Sequence, residues 1–163
     1  MDANFLTKGF QTVANQLDKK FLTEKDLKVW VGTVLNCYVL KIYKEAWTNP
    51  SENPATSPSR IFFSIWVDPD KEHLLFYNIH ALRLRQLKGF KIESRRFAET
   101  FRKEFKQFSH KWENVSTEFG PLTLMQGFVS LELKNFEASV LRLFNNFLEI
   151  EHMIEKALGE FKL

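Results

Sequence analysis

The stretch RIFFSIWVDPDKEHLLFYNI, residues 60–79, decides the fold. In its first half Ile61, Phe63, Ile65 and Val67 alternate with Phe62 and Trp66. A two-residue period puts each set on one face of an extended strand. Asp68-Pro69-Asp70-Lys71 supplies a turn, because proline presets φ at the first central position. Leu75, Tyr77 and Ile79 alternate on the return strand, with Leu74 and Phe76 opposite them. The segment reads as a β-hairpin that is apolar on both faces. Both faces then need cover, by helices or by a second chain.

Downstream, the return strand extends towards Leu84, and Lys88-Gly89 turns the chain. Ser94 is expected to cap a helix over 95–111, where Phe97, Phe101, Phe105 and Phe108 form one narrow apolar stripe. Gly120-Pro121 interrupts the chain, and 122–133 reads as a strand with Met125, Val129, Leu131 and Leu133 at one parity. Asn135 is placed to cap a last helix, 136–161, about 39 Å long. Its core face includes Phe136, Val140, Phe144, Phe147 and Ile154.

Upstream, residues 48–59 (TNPSENPATSPS) form a Pro/Ser-rich loop, since prolines 50, 54 and 58 remove amide donors. Residues 27–47 carry two conflicting patterns. Leu27, Trp30, Val31, Val34, Leu35 and Tyr38 fit a helix face, while Val29, Val31, Val34, Val39 and Ile42 are β-branched and favour a strand. We read a short helical turn followed by a strand over 33–46. Residues 3–20 read as an amphipathic helix, and Thr23 with Asp26 as the start of a second. The order predicts an α+β fold: a mainly antiparallel sheet of about four strands, including hairpin 60–79, packed with helices and ending in the long helix 136–161. One domain is expected to span residues 1–163.

Composition narrows the setting. The 163 residues include 17 phenylalanines, which predicts an aromatic core. Cys37 is the single cysteine, so an intrachain disulfide is excluded. The start Met1-Asp2-Ala3-Asn4 lacks the basic and apolar regions of a signal peptide, and no apolar run approaches the ~20 residues of a membrane span. A cytoplasmic protein is the expectation.

Charge is unevenly placed. Residues 1–79 balance, with 9 basic and 9 acidic side chains. Residues 80–111 carry 10 basic and 3 acidic, and 112–163 carry 4 basic and 8 acidic. On the helix, Arg95, Arg96, Arg102 and Lys103 fall opposite the phenylalanine stripe, and Arg83, Arg85, Lys88 and Lys91 precede it. If the two groups share a face, they form a candidate site for a polyanion such as nucleic acid or an acidic surface. Otherwise they are the solvated side of a helix, or complement Glu137, Glu149, Glu155 and Glu160 within the monomer or across a dimer.

Catalytic patterns are missing from the sequence. It has no Gly-x-Ser-x-Gly elbow, no phosphate loop and no Gly-rich dinucleotide turn. His73, His80, His110 and His152 form no i, i+4 pair, and the single Glu149-x-x-His152 lacks the second copy that a carboxylate-bridged di-iron bundle uses. Cys37 is a nucleophile only if His80 or a basic residue meets it in space. Neither metal nor organic cofactor is expected. Leu141 and Leu148 lie outside the main core arc of the last helix, which points to a homodimer or to cover by the N-terminal helix. The sequence therefore predicts a non-catalytic, self-associating interaction module. The alternatives are a polyanion binder using 83–106 and an enzyme whose site exists only in the fold.

Overall fold

The alternation over 60–79 produces two central strands of a five-stranded antiparallel sheet. A computed structural model describes residues 2–163. The strands are β1 (Leu27–Val34), β2 (Cys37–Lys44), β3 (Arg60–Val67), β4 (Leu74–Leu82) and β5 (Thr123–Ser130), in the order β1-β2-β3-β4-β5. Four helices accompany them: α1 (Ala3–Gln16), α2 (Lys19–Glu24), α3 (Ser94–Phe105) and α4 (Phe136–Glu160). The fold is α+β as expected, with one strand more than the sequence reading gave.

The extra strand comes from residues 27–47. These form a tight hairpin rather than a helical turn and one strand, with Leu27 paired to Lys44 and Val34 to Cys37. Leu35 and Asn36 make its two-residue turn, with φ of 49° and 68°. Two positive φ values are what a turn needs if its twist is to match its strands. The β-branched valines won over the helical spacing because cross-strand packing gave them partners. The N-terminal helix also breaks earlier than expected. Leu17 is extended, and the Asp18 carboxylate accepts from the amides of Lys20 and Phe21 to start α2. Thr23 lies inside α2 and donates to the Lys19 carbonyl. Ser94 is the first residue of α3 rather than its cap, which is Glu93, and α3 ends at Phe105.

All four helices lie on one face of the sheet. Phe147 of α4 stacks on Phe63, with ring centroids 4.5 Å apart. Phe136 of α4 meets Phe10 of α1 edge-on at 5.0 Å, and a side chain at Gly9 would strike the same ring. Phe97, Phe101 and Phe105 are buried beneath α3. Leu40, Ile42, Ile61, Phe63, Ile65, Leu75, Tyr77 and Ile79 supply the sheet side of this core.

One polar cluster interrupts it. Lys44, 8% exposed, points from β2 towards α4, with its Nζ 2.9 Å from Glu155 Oε1 and 3.2 Å from Glu151 Oε2. Trp47 donates its indole N–H to Glu155 at 3.0 Å. Burial pushes the Lys44 pKa down, but the two carboxylates outweigh it and hold the ammonium above its ordinary value.

The expected two-sided cover of hairpin 60–79 takes a different form. The second face has no helix. Val39 and Phe62 are buried there by side chains of the sheet itself, outside the helical core. The Pro/Ser-rich loop 48–59 is held down at its start. Asn49 donates to the Gln86 carbonyl at 2.8 Å and accepts from the Lys88 amide at 2.7 Å. No helix among the described residues is long and apolar enough to cross a membrane.

Candidate functional site

Strand register arranges the open face in rows. Trp30, Lys41, Ser64, Asn78 and Gln126 are successive cross-strand partners and make one polar row with an aromatic end. Gly32, Val39, Trp66, Phe76 and Phe128 make a parallel apolar row. Trp66 and Phe76 stack at 5.4 Å, and Phe76 meets Phe128 edge-on at 6.3 Å. The ring of Trp30 lies across Gly32, where any Cβ would collide with it. That glycine lets the indole fold along β1 beside Lys41.

Lys41 is the unusual member. It is 9% exposed, and among the described residues it has no carboxylate or hydrogen-bond partner. Its Nζ rests 4.5 Å from the Phe62 ring centroid and 5.4 Å from that of Trp30. Ring faces attract a cation, but by only about 0.5–2 kcal/mol, and they do not replace lost water. Burial, reinforced by the Arg60 charge, pushes the Lys41 pKa down to about 8. Two lysines of one strand thus sit in opposite environments: Lys44 faces two acids on the helix side, and Lys41 faces none on the other.

Arg60 enters from the first residue of β3. Its guanidinium carbon is 5.0 Å from the Phe62 centroid, one Nη donates to the Ala55 carbonyl, and its Nε is buried without a partner. Desolvation lowers its pKa. His80 stacks on Phe62 at 5.3 Å. Burial lowers the His80 pKa, the Leu122 carbonyl opposes that, and Lys41 and Arg60 push it lower still. His80 is therefore neutral at pH 7. Its Nε2 lies 2.8 Å from the Asn78 amide nitrogen, which also donates to Gln126 at 3.1 Å, while Asn78 Oδ1 is buried and unpartnered.

These groups line a cavity of about 300 Å³ whose walls run from Val34 and Leu35 through Val39 and Phe62 to Leu82. Two basic side chains and one histidine line it, and no Asp or Glu does. Leu35 stands at its rim, 92% exposed and in the left-handed region. That conformation is costly for leucine and suits Asn or Gly. Leu35→Asn is expected to stabilise the protein by about 0.5–1 kcal/mol, read by urea unfolding, because Asn tolerates the left-handed region.

No known family, curated protein or solved structure matches this chain.

The residues singled out from sequence fall elsewhere. Arg83, Arg85 and Lys88 are exposed on the segment tied to Asn49, whereas Lys91 and Arg96 border the C-terminal residues, with Arg96 6.0 Å from the Phe161 ring. Arg95 and Lys103 are exposed on the outer side of α3. Arg102 is committed to the backbone: its guanidinium donates to the carbonyls of Phe119, Gly120, Thr123 and Leu124 at 2.8–3.1 Å, so it pins the turn before β5. Cys37 and His80 both border the cavity, but at opposite ends. Cys37 lies one residue from the Tyr38–Val67 pair and His80 opposite Phe62, which separates them by about 20 Å of strand. Burial, with Asp68 and Asp70, also raises the thiol pKa, the wrong direction for a nucleophile. Glu149 and His152 are exposed. Leu141 and Leu148 border a groove with Leu17, Phe21 and Leu22, so the N-terminal segment partly covers them. Among the described residues no cluster of three or more His, Cys, Asp or Glu is placed to hold a metal ion.

Sequence reasoning missed Lys41 and Arg60. The signal was present: Lys41 breaks the run Tyr38-Val39-Leu40-Lys41-Ile42-Tyr43, and a charge flanked by apolar residues on both sides is rarely buried without a partner.

Proposed function

We propose that this domain is a small-molecule binding module whose ligand is an organic anion with an apolar or aromatic body. The observation that carries this reading is the buried, unpartnered ammonium of Lys41 beside Arg60 in a cavity with no acid. A carboxylate or phosphate entering there restores the hydrogen bonds and counter-charge that burial removed. The ligand's body follows the apolar lining of Val39, Phe62 and Trp66, of which Trp66 is only partly buried. Few polar groups in a mostly apolar hollow are the usual make-up of a ligand site.

The test is calorimetric titration with octanoate and with octanol, which share a tail and differ in charge. Octanoate is expected to bind at least tenfold more tightly, and Lys41→Met to cut the difference several-fold, leaving the part that Arg60 supplies. Affinity should be level below pH 7 and fall as pH rises through about 8, where Lys41 loses its proton. Equal affinity for the two compounds, or none for either, refutes the proposal. A variant reversed at Arg95, Arg96 and Lys103 should bind octanoate unchanged. If that variant instead loses retention on heparin that the wild type shows, the polyanion alternative gains the evidence.

A further inference from the structure

We propose that Lys41 is a carbonyl-capturing amine, and that the ligand of the open-face cavity is an aldehyde or ketone carrying an anionic group. This rests on the binding reading above and adds a covalent step to it. Three observations support it. Lys41 has no acid to hold its proton, in contrast to Lys44 three residues later. Its side chain lines a cavity on the open face, with Nζ over the Phe62 ring, rather than packing against the helices. Arg60 supplies a second cation on the same phenyl ring, so an anion can be held while the lysine is neutral. A lysine in an apolar pocket next to another cation is one established way to make a nucleophilic amine.

The chemistry balances without an oxidant. The Lys41 amine lone pair attacks the carbonyl carbon and forms the C–N bond. The carbonyl π electrons move to oxygen, which takes a proton given up by the attacking nitrogen, and a carbinolamine results. The C–O bond then breaks, the hydroxyl leaves as water with the nitrogen's second proton, and the nitrogen lone pair closes the C=N bond of an imine. With a pKa of about 8, roughly a tenth of Lys41 is neutral at pH 7, against fewer than one in a thousand for an ordinary lysine. The rings of Phe62 and Trp66, which line the cavity, offer a wall for a planar carbonyl compound.

Two probes separate the covalent step from binding. Pyridoxal phosphate carries an aromatic aldehyde and a phosphate, and pyridoxine phosphate has an alcohol in place of the aldehyde. Each is added at near-stoichiometric concentration to the whole protein. Binding is read by tryptophan fluorescence, and imine by borohydride reduction and peptide mapping. Both probes are expected to bind, with only the aldehyde trapped, and Lys41 labelled at least tenfold faster than any other lysine. Labelling should rise with pH to a plateau above about 8, and Arg60→Met should slow it at least tenfold. Lys41→Arg should keep pyridoxine phosphate affinity within a few-fold and lose the label. If both probes bind but label is spread over surface lysines, the carbonyl proposal fails and anion binding stands. If neither binds, both readings fall together.

Discussion

Lys41→Met is expected to make the unliganded protein more stable at pH 7, by about 1–2 kcal/mol, while weakening the proposed preference for anions. Methionine matches the lysine stem in length and fills the same space between Phe62 and Trp30 without a charge to desolvate. In the unfolded chain Lys41 titrates at its ordinary value of 10.5, and in the fold at about 8. Between those values the unfolded state binds more protons, so wild-type stability rises with pH across that window. Below about pH 8 the destabilisation is present in full. The whole shift would correspond to about 3 kcal/mol, and water at the open side of the cavity screens it to about half or less. Urea unfolding of both proteins at pH 7 and pH 10 measures the difference, which should shrink at the higher pH. A variant that is less stable than wild type at pH 7 would show that the ammonium is satisfied in the fold, and the proposed site would lose its rationale. A residue that weakens the free protein in order to serve the proposed site follows the common trade between stability and function.

Lys44→Met should do the opposite. The same substitution three residues on removes the partner of Glu151, which is 5% exposed, and part of the support for Glu155. A carboxylate left buried and unpaired costs about 3–5 kcal/mol. Because Lys44 has a pKa raised by its acids, its contribution is complete at neutral pH and fades only when pH climbs past the ordinary lysine value. The double variant Lys44→Met with Glu151→Leu replaces the pair by apolar groups of similar size and should recover most of the loss. Thermal or urea unfolding of the three proteins decides the matter. If the single variant costs no more than the double, Glu151 is not dependent on Lys44, and the cluster is solvated rather than buried. Taken together, the two lysines predict opposite signs for one chemical change, set only by which side of β2 each occupies.

The parts of the fold legible in sequence were those with a strict period. Hairpin 60–79 and the long last helix each repeat one apolar spacing, and both formed nearly where the spacing put them. Residues 27–47 were not legible, because Leu35-Asn36 lacks the glycine that usually announces a two-residue turn and because valines satisfied both periods. The basic run 83–106 drew attention as a count of charges, yet Arg102 turned out to hold a turn. The candidate site carries only two cations, 19 positions apart in the chain, and becomes visible only when register sets Lys41 opposite Ser64, with Arg60 four residues up the same strand. Charge in a local window cannot report that. A better signal was Lys41 standing in the middle of an apolar run.

The two sides of β3 hand out separate tasks to neighbouring residues. Ile61, Phe63 and Ile65 hold the molecule together, and Arg60, Phe62, Ser64 and Trp66 furnish the hollow. Every wall of that hollow is drawn from residues 34–82, so the helices that secure the protein contribute nothing to it. Selection can therefore rewrite alternate letters of one short strand to change what is held, and leave intact the letters that decide whether the chain folds at all.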